Sequence, residues 1–365
     1  MKPRTLIALV IMTYCLAPTA EATVRRVKTD ATGTPHDGST WNQAYTDLQS
    51  AITDSSAGDE VWVAYMSATP YTPGTSVSDT FSLKNGVAVY GGFVGNESTL
   101  NDRDYQANET ILSGEIGAAG SSDNCNHVVT ANGTSSTLTR LDGFTIRDGY
   151  GSNSPSNTSR LGAGIFITGN TSSPQVVNCT FEDNQATLSS VGQGGGAAVR
   201  TDSGQPVFQD CTFRDNSATN QGGAIAVSGE SPTSIRIEGC TFEGNMTTAT
   251  SGTTAFYGGG AVYVDPGSTG GAFSLQITDC IFRNNETSFV GGGAVGVRGA
   301  RGTMTIRGCL FEENVSNNHP GGGLFVASGA DPLIVNCVFL RNQSVGSAGT
   351  GGGGEMPGSR RAGRV

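Results

Sequence analysis

The residues with the most obvious chemical potential in this 365-residue chain are six cysteines, Cys179, Cys211, Cys240, Cys280, Cys309 and Cys337, spaced 32, 29, 40, 29 and 28 residues apart. Cysteines at regular spacing can form disulfides, bind a metal or act as nucleophiles. Each one stands in the same surroundings: a turn former just before it, a Phe two residues on and an Asn five residues on, as in "NCTFEDN" (178–184) and "GCLFEEN" (308–314). A register this strict stacks the thiols in one inward column. Neighbouring coils then hold their sulfur-bearing carbons about 4.8 Å apart, beyond the about 3.8 Å that a disulfide prefers. Ligands in a straight line also fail to make the tetrahedron of a zinc site. The six are expected to be a ladder of free, buried thiols, part of the core and not of a catalytic centre.

The remaining reactive groups are scattered. Glu182, Asp183, Asp215, Glu243, Glu312 and Glu313 fall where the repeat turns. Arg200, Arg298 and Arg307 could take a proton in a lyase, but the repeat alignment gathers no acidic calcium cluster around them. His36, His127 and His319 lie in different regions and form no triad. Asp102, Asp104 and Asp123 lack the spacing of an EF-hand, so Ca²⁺ is unsupported and no cofactor is expected. No catalytic or metal-ligating residue is assigned. A contact surface is easier to place, because Phe166, Ala198, Ala226, Tyr263, Gly296 and Phe325 form an uncharged outward stripe, with Phe256, Tyr257 and Phe289 in loops beside it. Flat rings next to small residues suit sugar stacking or a protein contact. The competing expectation is that long loops fold over the stripe and bury it.

The elements that carry these residues derive from the repeat. Val176, Phe208, Ile237, Ile277, Ile306 and Ile334 stand three residues before each Cys, and a glycine-led apolar run such as "GAGIFI" (162–167) or "GGAIAV" (222–227) belongs to each unit. Alternation over three or four residues between turn formers means short strands joined by corners, expected here as three per unit. Such a unit cannot bury its apolar face alone and must stack on its neighbours. The expected fold is all-β: a right-handed parallel β-helix, a solenoid of one coil per repeat. Glu182, Arg214, Glu243, Arg283, Glu312 and Leu340, three residues after each Cys, alternate in sign as stacked neighbours should. The Asn column, Asn184 to Asn342, reads as an internal amide ladder.

The "FxxN" units from Phe181/Asn184 to Phe339/Asn342, with "GGA" at 222–224, 259–261 and 292–294, resemble the repeats of polymorphic outer membrane proteins, a family of bacterial surface β-helices. The resemblance covers about 160 to 345 and implies a surface adhesin. Residues 23–150 look like the opening region of secreted bacterial β-helix proteins of the pectate-lyase-like kind, which implies the alternative of an extracellular polysaccharide lyase or hydrolase.

Residues 1–22 read as a signal peptide: Lys2 and Arg4, then an apolar run over 6–16, then a small-residue cleavage site at 20–22. A secreted or cell-surface, outer-membrane-associated protein is expected. Residues 23–120 are assigned to an N-terminal cap and first irregular coils. Trp41, Ala44, Tyr45, Leu48, Ala51 and Ile52 fall at helical spacing and predict an amphipathic capping helix. Residues 121–345 are assigned to the repeats, and the glycine-rich tail 346–365 is expected to be truncated or disordered. Net charge is −10 and the lysines are Lys2, Lys28 and Lys84, which excludes a nucleic-acid footprint. No stretch is apolar enough for a transmembrane segment in the mature chain. The expected partner is an extracellular polysaccharide or a cell-surface protein.

Overall fold

The computed structural model describes residues 22–345, apart from 68, 119, 152–160, 188–192, 202, 229–233, 250–257, 266–272, 289–290, 300–301 and 328. The signal-peptide assignment, the tail 346–365 and the candidate contacts Phe256, Tyr257 and Phe289 lie outside the described residues. The chain winds as a right-handed parallel β-helix of about nine turns. A ten-stranded sheet runs from Val24–Val27 to Leu333–Val335, and an eight-stranded sheet from Thr110–Ser113 to Val338–Leu340. A six-stranded sheet of two-residue strands runs from Gln185–Ala186 to Gln343–Ser344, and a second eight-stranded sheet from Phe81–Ser82 to Leu324–Val326.

A repeat therefore contributes four strands where three were expected. The extra one is the two-residue strand directly after each Asn, too short to show alternation in sequence. Each repeat has two left-handed corners, and the second sets this strand off. The first is at the residue before Cys, with φ of 51° at Asn178 and 52° at Asp210. The second is at the residue before Asn, with φ of 53° at Asp183 and 55° at Asp215. Asn, Asp and Gly tolerate that conformation best, which accounts for their recurrence at both corners.

The inward columns form as expected. The Phe rings from Phe181 to Phe339 stack with centroids 4.6–5.0 Å apart, and the stacked cysteines are free thiols. Each buried Asn donates its side-chain amide to the next, from Asn184 to Asn216 at 3.0 Å through to Asn314 to Asn342 at 2.8 Å. The same oxygens also accept the backbone N–H of the preceding Asn, at 3.0–3.2 Å. A corner that would strand buried amides is thereby satisfied. The charge column is in register: Arg214 pairs with Glu182, and Arg283 with Glu312 at 3.0 Å.

The capping helix is shorter than its apolar period predicts. It occupies Leu48–Asp54, opened by Asp47, whose carboxylate accepts the Ser50 N–H at 2.6 Å. Upstream, Tyr45 instead exchanges backbone bonds with Arg26 and Lys28 at 2.9 and 2.8 Å, so pairing with the first strand overrides helical spacing. Leu48, Ala51 and Ile52 are buried over the N-terminal end of the core. Among the described residues no helix is long and apolar enough to cross a membrane.

Candidate functional site

The strand Ala88–Phe93 leads into a long polar excursion before Thr110–Ser113 begins the next strand. Gly92, at φ 93°, turns the chain outward there, and a β-carbon on it would lie 2.5 Å from the Tyr105 backbone. The excursion is pinned at its start. Trp41 donates its indole N–H to the Glu97 carbonyl at 2.9 Å, and Phe93 stacks on Trp62 with centroids 4.9 Å apart. Burial works against the Glu97 carboxylate, but the N–H groups of Val94, Gly95 and Asn96 outweigh it and hold its pKa below the usual range.

Further on, the Arg103 guanidinium lies 5.0 Å from the Tyr90 ring centre and 5.4 Å from that of Tyr105, each a cation–π distance. It donates to the Gly91 carbonyl at 3.0 Å, and to the Asp142 carbonyl and carboxylate at 3.1 and 2.7 Å. Asp142 has a side chain only 2% exposed and also accepts from Arg140 at 2.6 Å and the Asn178 amide at 3.0 Å. Three side chains thus hold this buried carboxylate in place, and removing one leaves a buried acceptor short of partners. Tyr105 closes the chain of bonds by donating its hydroxyl to Asn178 at 3.2 Å. The loop is thus bolted across two coils to the solenoid's outer face.

Between loop and solenoid lies a cleft of about 570 Å³. Its floor is a column of outward threonines, Thr145, Thr180 and Thr212, in register on three successive coils. Tyr105, Glu109 and the corner residues Asn178 and Asp210 line it as well. Glu109 accepts the Thr145 hydroxyl proton at 2.7 Å. A shallower hollow of about 300 Å³, lined by Tyr90, Arg103, Arg140 and Asp142 among others, shares the Tyr105 ring as a ridge. One aromatic face, evenly spaced hydroxyls and two carboxylates can hold a polyhydroxylated ligand by stacking and hydrogen bonds.

Of the two expectations for the aromatic stripe, its described members follow the one in which it is covered. Phe166 is buried, stacked on His127 with centroids 5.1 Å apart and packed against Leu161 and Ala198. Tyr263 is 3% exposed with its hydroxyl 3.4 Å from the Asp265 carboxylate, and burial pushes its pKa up. Ala198 and Ala226 are buried too, and Phe325 is half-buried. The outward side of the glycine-led strand is therefore covered over most of its length. Facing outward from a sheet does not mean facing water once other segments cross that face.

The other sequence candidates stay apart. His36 contacts the Ala44 carbonyl at 2.9 Å and His127 the Gly162 carbonyl at 3.0 Å. Asp102, Asp104 and Asp123 each accept backbone N–H groups of their own turns. Among the described residues no group of three or more His, Cys, Asp or Glu is arranged to hold a metal ion. The cleft residues Tyr105 and Glu109 had no repeat to mark them, and Asn178 and Asp210 were read as turn formers. The available signal was a polar interruption of about fifteen residues between strands, long for a connection in a compact unit.

Stacked parallel coils with a side loop bolted over one face define a β-solenoid protein. The family model described as a right-handed β-helix region matches residues 76–266 and 251–351. The chain belongs to that family. No curated protein and no solved structure matches it.

Proposed function

We propose that this chain is an exported, surface-associated β-helix that works by binding, with an extracellular glycan as its ligand and adhesion as its role. The observation that carries this reading is the cleft at Tyr105, where a ring, a threonine column and two carboxylates meet on a rigid face. The polymorphic-outer-membrane-type repeat motifs and the N-terminal leader pattern point the same way. Half-buried Phe325, together with Phe256, Tyr257 and Phe289 of the loops in earlier repeats, is a second proposed contact area; Phe166 and Tyr263 keep little surface for stacking. The test is a glycan array probed with the mature protein. Tyr105→Ala should weaken the strongest interaction about tenfold, the worth of one ring contact. Binding unchanged by both Tyr105→Ala and Thr180→Val would rule out the cleft as the binding site.

One observation favours a second reading, a polysaccharide hydrolase: Glu109 and Asp210 line the same cleft, and paired carboxylates are what glycoside hydrolysis uses. Reducing-end release from a glycan that binds, abolished by Glu109→Gln with binding retained, would establish it.

A further inference from the structure

After the strand Thr110–Ser113 the chain leaves the solenoid at Gly114 and rejoins it at Cys125, whose N–H donates to the Gly114 carbonyl at 2.9 Å and whose thiol is buried in the core. Four buried side-chain oxygens in and beside this loop accept no hydrogen bond from any described residue: Glu115 Oε1, Asp123 Oδ1, Asn124 Oδ1 and Asn126 Oδ1. They are four of the nine such unpartnered polar atoms among the described residues, and all four are acceptors. Asn124 and Asn126 are each 5% exposed. The second carboxylate oxygens show where the acids lie: Glu115 Oε2 accepts the Gly120 N–H at 3.3 Å and Asp123 Oδ2 the Ala118 N–H at 2.8 Å, so both reach the same short turn. Asn124 cannot relieve its oxygen by turning its amide over, because its Nδ2 donates to the Asp148 carbonyl of the adjacent coil at 2.7 Å. That bond also turns the oxygen away from the solenoid, towards the loop. Asn124 is extended (φ −64°, ψ 153°), so with Cys125 pointing inward, Asn124 and Asn126 share the opposite side by alternation. Neither Glu115 nor Asp123 forms an ion pair among the described residues.

We infer that Glu115, Asp123, Asn124 and Asn126 form a Ca²⁺ site. A single buried acceptor is served by one water, but four in one loop, two of them on carboxylates without a cation, suit a hard cation. Two carboxylates balance the charge of a divalent ion. The two amide oxygens are neutral ligands of the kind Ca²⁺ takes beside carboxylates, and backbone carbonyls and water complete its about six to eight positions. Mg²⁺ demands a near-ideal octahedron and gives up its water reluctantly, which a mixed set on a loop serves less well. Half of this set is amide, so it differs from the clusters of three or more His, Cys, Asp or Glu that are absent among the described residues. The ion ties the loop to the coil through Asn124 and Asp148, beside Ser113, whose hydroxyl donates to the Asp148 carboxylate at 2.7 Å.

The experiment strips the mature chain with EDTA and titrates CaCl₂ or MgCl₂ by calorimetry, with hydrogen exchange read over residues 115–126. One Ca²⁺ per chain is expected, with Mg²⁺ at least about tenfold weaker. Exchange in the loop should slow about tenfold when free Ca²⁺ is about ten times Kd. Glu115→Gln and Asp123→Asn keep the shapes and remove the charges, and each should weaken Ca²⁺ binding at least about tenfold. In EDTA the double variant should melt no lower than the wild type, because it removes buried negative charge that no donor meets. Side chains that only fold the loop would lower Tm with or without Ca²⁺. No Ca²⁺ binding up to about 10 mM, Mg²⁺ bound as tightly as Ca²⁺, binding unchanged in the double variant, protection confined to other parts of the chain, or a double variant that melts lower in EDTA would each overturn the proposal.

Discussion

Replacing Asn245 by Ala removes a side chain from the middle of the amide ladder. Its oxygen accepts from the Asn216 backbone N–H at 3.2 Å and the Asn216 amide at 3.0 Å, and its own amide donates to the Phe213 carbonyl at 2.8 Å and to Asn285 at 3.0 Å. The Ala variant strands the Asn216 N–H and the Phe213 carbonyl and leaves a small void, while Asn285 keeps one donor, the backbone N–H of residue 245, at 3.1 Å. At about 1–3 kcal/mol for each stranded buried group, the loss should be about 3–6 kcal/mol. That is a large share of the 5–15 kcal/mol typical of a folded domain. Asn342→Ala cuts the same kinds of bond at the end of the ladder, where the residue is 7% exposed and water can replace the lost partners. About 1–2 kcal/mol is expected there. Urea denaturation monitored by far-ultraviolet circular dichroism measures both. Asn245→Asp adds a check on sign: it keeps the acceptor but sets a carboxylate against three acceptor oxygens, those of Phe213, Glu243 and Asn285, which raises its folded pKa above the unfolded value of about 3.9. Its penalty should be absent below that value, grow as pH rises towards the folded pKa and stay constant above it. Equal losses at 245 and 342, or a loss below about 1 kcal/mol at 245, would refute the view that satisfied buried amides hold this corner together.

Asp183→Asn should stabilise. Burial, then Asp215 and Asp148 on the adjacent coils, raise the Asp183 pKa, and Asn accepts the left-handed φ of 53°. The gain should be at most about 1 kcal/mol, present at pH 7 and lost as pH falls to the unfolded Asp value, because the carboxylate is largely exposed and screened. Thiol titration of denatured, unreduced mature protein should count seven free thiols, and native protein should react first at half-buried Cys337. Burial pushes the Cys179 and Cys125 thiols up to about 12, so these two should stay inert until unfolding; recovery of disulfide-linked peptides as the main species would contradict the ladder.

The architecture was legible because a solenoid repeats its local rules. Cys, Phe and Asn return to the same slots, so one coil's alternation and corners predict those of the next, and the ladders result from their stacking. The short strand after each Asn escaped because two residues cannot display a period. The capping helix was overestimated because Tyr45 finds a backbone partner on the first strand, a contact distant in sequence from any helical neighbour. Of the candidate site, only the long polar interruption before Thr110 was legible. Arg103, Tyr105 and Glu109 come from a loop without repeats, while Asp142, Asn178 and Asp210 come from coils where each has a sufficient packing or turn role. Only the winding of the chain sets them beside one another. The same holds for the aromatic stripe: alternation decides which way Phe166 and Tyr263 point, but what crosses over them is settled in three dimensions. Periodic patterns encode neighbours one coil apart, because strand spacing makes that distance the same everywhere. A site built by one irregular loop on a regular face has no such period, and its geometry exists only in the folded chain.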